Sequence, residues 1–251
     1  MTSPPSHLTL TFLVMISNLD HTVTVQAMQK VVHPTSEHLA REVADGIAEL
    51  IGARNGLTLG LAGGSSPQPT YERLRAMHLE WGSVDVWLSD ERWVPWDHDR
   101  CNGRMASETL LDHVGARFHR PPWGEMIEAE DAAAHYEATL RSIHPDGSPD
   151  LVLLGMGDDG HTASLFPGTD ALDEMSRWFV ANEVPSQGET RLTATYPMLW
   201  SAKQILFLVT GSDKAKAVRD SFSGSTPAGR VGEGNAEIIW HLDEAAAALL
   251  S

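Results

Sequence analysis

Residues 151–160 read LVLLGMGDDG: four apolar residues with no polar alternation, then glycines interleaved with two aspartates. A strand that shows no polar face is buried on both sides, as in a parallel sheet with helices packed above and below it. The same pattern recurs in both directions along the chain. Leu57 to Ala62 is a short apolar run ended by Gly63-Gly64, and Val84 to Leu88 (VDVWL) leads into the charged stretch Asp90 to Pro95, read as a loop. Ile205 to Val209 (ILFLV) is the most strand-like stretch of all, and further strands are expected over 178–183 and 238–240. Helical signals lie between these runs. Pro34-Thr35-Ser36-Glu37 is a start cluster, after which Leu39, Val43, Ile47 and Ile51 recur at helical spacing. Residues 69–79, 103–114, 129–143, 212–222 and 243–250 also read as helices. Repeated strand, glycine turn and helix units predict an α/β fold: a doubly wound, mostly parallel sheet with helices on both faces, Rossmann-like but modified.

In such a sheet ligands bind beyond the carboxyl ends of the strands. The polar clusters Gly63 to Ser66, Asp90 to Arg92, Gly155 to His161 and Gly211 to Lys214 all fall at those ends, so four distinctive loops on one edge predict a site. At roughly 150 residues per domain, 251 residues fit one large α/β domain as readily as two small ones. With no internal repeat and no low-complexity linker, residues 28–251 are read as a single domain.

Charge narrows the partners. Lys and Arg number 18 against 34 Asp and Glu, a formal net charge of −16, which disfavours nucleic acid because sixteen uncompensated negative charges repel a polyanion. The hydrophobic fraction of 42% with 21% charged residues excludes disorder as the main state. The single cysteine, Cys101, forms no intramolecular disulfide and no cysteine-based zinc site, so a reducing, cytoplasmic setting is expected. Leu8 to Ile16 (LTLTFLVMI) is apolar but too short to span a bilayer, and no Lys or Arg precedes Lys30 to supply a signal-peptide n-region. Residues 1–27 are read as an extension outside the fold, with Met28 an alternative start and no membrane association expected.

The loops carry the chemistry. Gly155-Met156-Gly157-Asp158-Asp159-Gly160 matches the dinucleotide fingerprint G-x-G-x-x-G, with Glu183 at the distance of a ribose-binding acid. Three features oppose that reading: Asp158 and Asp159 stand where a pyrophosphate would sit, Pro167-Gly168 breaks the crossover helix, and His161 occupies the helix mouth. Gly63-Gly64-Ser65-Ser66-Pro67 reads either as an anion cradle at a helix N-terminus or as a tight turn with a serine cap. No G-x-S-x-G is present, which removes the usual signature of a serine nucleophile. His161 follows a glycine turn bearing Asp159, where a carboxylate can orient the imidazole and raise its basicity. No H-E-x-x-H or related ligand spacing predicts a metal. Lys214, at a helix start, opposes the helix dipole, which favours a functional purpose over a solvated lysine. Arg191 has no partner nearby in sequence.

Together the loops resemble the 6-phosphogluconolactonase family, related to the glucosamine-6-phosphate isomerases. The resemblance runs from about Val31 to Leu249 through LGLAGGSSPQPTYERL (59–74), VWLSDERWVP (86–95), LLGMGDDGHTASLFPG (153–168), RLTATYPML (191–199) and VTGSDKAKAV (209–218). The third motif is the most specific, and Arg92 after Asp90-Glu91 points away from the isomerase branch. Cys101-Asn102 stands where the family usually shows Ser-Asn. The resemblance implies a single lactonase domain and hydrolysis of 6-phospho-D-glucono-1,5-lactone without a cofactor; a monomer or weak dimer is expected. On it His161 is the base that activates water, with Asp159 its orienter. Lys214, Arg191 and the Gly64-Ser65-Ser66 loop form a phosphate cradle, while Asp90 and Arg92 line the sugar pocket. An isomerase or deaminase would instead use Asp90 to abstract a proton, and a non-catalytic sugar-phosphate binder would show no turnover.

Overall fold

Thr35 opens the first helix by accepting the His38 N–H on its side chain, and Leu39, Val43, Ile47 and Ile51 then fall on one buried face. That helix, α1 (Ser36–Ala53), follows two strands, β1 (Leu10–Phe12) and β2 (Met28–His33). The chain continues through β3 (Leu57–Leu61), α2 (Gln68–Arg75), β4 (Val84–Leu88), β5 (Asp90–Arg92), α3 (Asn102–Thr109), β6 (Arg117–Phe118), α4 (Ala129–Ile143) and β7 (Leu151–Leu154). It ends with β8 (Phe179–Val184), β9 (Glu189–Ala194), α5 (Tyr196–Ser201), β10 (Gln204–Val209), α6 (Ala215–Phe222), α7 (Pro227–Arg230) and β11 (Glu237–Asp243). The computed structural model describes residues 10–12, 28–124 and 128–250.

Seven strands pair in parallel in the order β2-β11-β10-β7-β3-β4-β6, and β1 adds an antiparallel edge on β2. From β3 the chain winds outward to β4 and β6, then returns to the other side of β3 to lay down β7, β10 and β11. The neighbours β3 and β7 are therefore the switch point at which connections leave in opposite directions, and a crevice opens beyond their carboxyl ends.

Strand side chains alternate between two cores. Leu151 and Leu153 join Leu57, Leu59, Leu61 and the apolar face of α1 on one side of the sheet. Val152 and Leu154 join Phe207, Trp240 and Tyr136 of α4 on the other. Burial of both faces explains why these strands carry no polar alternation, and the expected doubly wound sheet is the one observed.

Four expectations change. Asp90 to Arg92 is a strand rather than a loop: β5 leaves the main sheet and pairs antiparallel with β9, which pairs with β8. The stretch after β7 makes no crossover helix, because a glycine turn, a Thr162–Leu165 bridge and Pro167-Gly168 leave it no uninterrupted helical turn. Residues 244–249 form turns rather than a helix; a single bond of helical span, Ala247 N–H to the Asp243 carbonyl, is too little to propagate one. Leu10–Phe12 pairs with β2 although it lies within the stretch expected outside the fold, and residues 13–27 lie outside the described residues. Among the described residues no helix is long and apolar enough to cross a membrane.

Because β1 pairs only at the sheet edge, removing residues 1–27 is expected to leave the seven parallel strands intact. The truncated protein should be soluble and show an unchanged far-UV circular dichroism spectrum. Loss of soluble protein would show that the extension is part of the core.

Candidate active site

The loop after β7 builds a histidine–carboxylate pair. Asp159 Oδ1 accepts the His161 backbone N–H at 3.0 Å and lies 2.6 Å from Nδ1 of the His161 ring. If that nitrogen carries the proton, Nε2 keeps its lone pair, and Nε2 has no hydrogen bond among the described residues. Partial burial pushes the Asp159 carboxyl up, but the His161 hydrogen bonds and charge outweigh this and hold it below the usual carboxylate range. The ring stacks on Phe166 with centroids 3.9 Å apart, which fixes its plane. Gly157 makes the pair possible, since a Cβ there would lie 2.1 Å from His161 Nδ1 and 2.7 Å from Asp159 Oδ1.

The β5–β9 ladder supplies the second wall. Arg92 pairs with Arg191 and Asp90 with Thr193, so two guanidinium groups project from directly opposed positions. Like charges in such positions repel, and the buried acids beside them offset this. Arg191 is paired with Glu189 and lies 3.8 Å from Asp90 Oδ2. Burial lowers the Arg191 pKa to about 10, a charge held out of water at some cost. Asp90 Oδ2 also accepts the Ser164 hydroxyl at 2.7 Å. Ser164 is itself fixed, its N–H bonded to Thr193 Oγ1 at 3.0 Å. The residue before it, Ala163, holds φ at +46°, alone among the described non-glycine residues in the left-handed region.

Beneath this wall Glu91 is buried. It accepts backbone N–H bonds from Arg92 at 2.8 Å and from Asn102 and Gly103 at 2.7 Å each, together with the Cys101 thiol at 3.3 Å. A carboxylate from β5 thus sits on the first turn of α3, where the helix dipole favours it. Burial still raises the Glu91 pKa, the hydrogen bonds opposing it only in part.

The third and fourth loops face these walls. Ser66 does not cap α2; its hydroxyl lies 3.1 Å from Thr210 Oγ1, tying the glycine loop to the loop after β10. This removes the serine-cap reading of the turn. Lys214 ends a single 3-10 turn, Ser212–Lys214, ahead of α6. Its ammonium is 3.4 Å from Asp213 Oδ2. Asp243 at the end of β11 accepts the Gly211 N–H on both oxygens at 3.1 Å, which anchors the lysine's loop to the sheet.

A pocket of about 220 Å³ lies among the four loops. Gly64, Ser65, Ser66, Asp90, Arg92, His161, Arg191 and Lys214 all line it, and Asp159 stands behind His161. Asn102, Gly157 and Ala163 also line it without having been singled out for a role. The sequence signal for Asn102 was its place in the Cys101-Asn102 pair; nothing local marks Ser164, whose partner Asp90 comes from another sheet.

A family model described as glucosamine-6-phosphate isomerases/6-phosphogluconolactonase matches residues 33–240. The chain is 38% identical over 206 residues to the 6-phosphogluconolactonase of Nostoc sp., covering 77% of this chain and 85% of that one. It is 30% identical over 235 residues to the Haemophilus influenzae 6-phosphogluconolactonase, covering 89% of this chain and all of that one (100%). Of the solved structures, 6-phosphogluconolactonase from Trypanosoma cruzi superposes with a TM-score of 0.81 at 26% identity, over 92% of this chain and 100% of that chain. A monomeric glucosamine-6-phosphate deaminase superposes with a TM-score of 0.77 at 25% identity, over 88% and 98%. The chain belongs to the glucosamine-6-phosphate isomerase/6-phosphogluconolactonase family.

Cys101 offers a check on this geometry. It is buried, and burial together with the Glu91 charge raises its thiol pKa to about 11. At pH 8 only about one thiol in a thousand is then ionised, so the native protein should resist thiol reagents that label it fully once unfolded. Cys101→Ser keeps a cap for α3 and a donor to Glu91, and unfolding should show a stability change within about 1 kcal/mol. Rapid stoichiometric labelling of the native protein would contradict the burial.

Proposed function

We propose that the protein hydrolyses 6-phospho-D-glucono-1,5-lactone to 6-phospho-D-gluconate, the lactone-opening step of the oxidative pentose phosphate pathway, in the cytoplasm. The observation that carries this is His161, oriented by Asp159 through Nδ1 and with Nε2 unbonded among the described residues, in a pocket that Arg92, Arg191 and Lys214 also line. A δ-lactone is an activated ester, so positioning, one base and charge stabilisation suffice. Lys214, Arg191 and the Gly64-Ser65-Ser66 loop take the phosphate, and Asp90 and Arg92 line the sugar end. Water adds to the lactone carbonyl while His161 Nε2 accepts its proton and ionised Asp159 stabilises the imidazolium. The tetrahedral adduct then collapses, breaking the bond from the carbonyl carbon to the ring oxygen, and that oxygen takes the proton back from His161. A net charge of −16 does not prevent binding of an anion, because charges beyond about 8 Å are largely screened at physiological ionic strength.

The state of Asp90 favours hydrolysis over aldose-ketose isomerisation. Both its oxygens already accept, Oδ2 from Ser164 and Oδ1 from Asn102 at 3.3 Å, which suits a fixed acceptor better than a group free to abstract a proton from carbon. Assay of the purified protein with the lactone, above its spontaneous opening, and with glucosamine 6-phosphate decides between them; turnover of the amino sugar alone would reverse the assignment.

Replacing His161 with Asn is expected to lower hydrolysis by roughly 10²–10⁴-fold while leaving 6-phosphogluconate binding little changed. Near-normal turnover in that variant would assign the base elsewhere.

Lys214→Ala separates phosphate binding from chemistry. Loss of a charge-assisted contact worth roughly 1.5–3 kcal/mol should lower kcat/KM about 10- to 150-fold for the phosphorylated lactone. Unphosphorylated gluconolactone never makes that contact and should barely respond. Equal losses on both lactones would remove Lys214 from the phosphate site.

A further inference from the structure

Asn102 is 2% exposed and lines the pocket against the β5 wall. Its Nδ2 donates to the Asp90 carbonyl at 3.0 Å and reaches Asp90 Oδ1 at 3.3 Å. Its Oδ1 accepts Arg92 Nη1 at 2.6 Å, and the same Nη1 donates to the Arg100 carbonyl at 2.8 Å. One amide therefore sets the spacing between a carboxylate and a guanidinium that both face the pocket. The amide is itself clamped. Its backbone N–H is held by Glu91, and its side chain fills the space over Gly63, where a Cβ would lie 2.0 Å from Oδ1. With both Nδ2 protons and Oδ1 engaged, Asn102 has little left to offer a ligand directly, whereas Arg92 Nε is buried and has no partner among the described residues.

We propose that Asn102, seated by Glu91 and anchored on Asp90, is a positioning residue that aims Arg92 at the bound sugar-phosphate lactone. This rests on the hydrolase reading given above. No other side chain bridges the two groups among the described residues: Ser164 and Arg191 reach only Asp90, and Glu91 meets only the Arg92 backbone. Without the bridge Arg92 keeps only the Arg100 carbonyl, and its side chain regains rotamer freedom that substrate binding must then remove. Misplacement on the scale of 1 Å near reacting groups is enough to cost on the order of 10²-fold.

The test is a double-mutant cycle of Asn102→Ala, Arg92→Ala and the pair, read on kcat and KM for the phosphorylated lactone and on the Kd for 6-phosphogluconate. Asn102→Ala should lower kcat/KM about 10- to 100-fold, with a raised KM as well as a lowered kcat. In the Arg92→Ala background the same change should cost at most about 3-fold. A purely structural role would deplete the folded enzyme, lowering kcat at unchanged KM and by the same factor in both backgrounds; that outcome, or additive penalties, would overturn the proposal. Where the alanine variant does not fold, Asn102→Asp keeps the shape and the acceptor for Arg92 but sets a carboxylate against Asp90. It should also lose at least about 10-fold in kcat/KM at pH 7.5, and wild-type kinetics would overturn the proposal. Wild-type protein that binds 6-phosphogluconate without turnover would defeat the hydrolase reading alone, the cycle then being read on Kd. Absence of both binding and turnover would defeat both.

Discussion

The central strands β3, β4, β7 and β10 are covered on two faces, and this covering governs where the chemistry of the molecule can sit. Leu151 and Leu153 serve one core while Val152 and Leu154 serve the other, so the middle of the sheet at β7 and its neighbours has no room for a polar side chain. Polar chemistry is confined to the ends of the strands. At the β3–β7 switch the connections on either side pull apart, and the crevice between them collects loops that the chain lays down far apart in sequence. The position of the pocket thus follows from the winding of the chain, and its content follows from which residues stand at the strand ends.

That division explains what was readable beforehand. The apolar runs that became β3, β4, β7 and β10 announce themselves because burial on both sides forbids alternation, and the glycines that follow β3, β7 and β10 mark the loops. His161 with Asp159 was legible because the two are close in sequence and held by one turn. The small β5–β9–β8 sheet was legible only in β8, expected over 178–183. Asp90-Glu91-Arg92 is too short and too charged to signal a strand, and its partner Glu189–Ala194 begins with polar residues, so only pairing across the fold reveals either. Arg191, for which the sequence named no partner, meets Glu189 two residues back and, through that ladder, Asp90. Ser164 and Asn102 carry no role in the sequence reading for a related reason: the groups they hold lie outside their own loops.

The strongly acidic composition and the cationic pocket are not in conflict once distance is considered. Arg92 and Arg191 meet across a strand pair, and Lys214 comes from a loop tied to β11 through Asp243. Much of the negative charge lies outside the pocket, where salt screens it, while the cations act at contact range. Carboxylates inside the site each have a defined duty: Asp159 holds a ring, Asp90 is bridged by an amide and a hydroxyl, and Glu91 gathers the first turn of α3.

Ala163 brings a trade-off into this arrangement. Its backbone sits at φ +46°, a conformation that costs a residue with a side chain roughly 1 kcal/mol or more and costs glycine almost nothing. A glycine there would relieve the strain, yet it would also free the turn that delivers Ser164 to Asp90. Thermal robustness and the sharpness of the pocket therefore compete at a single peptide unit. An engineer seeking a hardier protein would find this alanine an inviting target and a poor one.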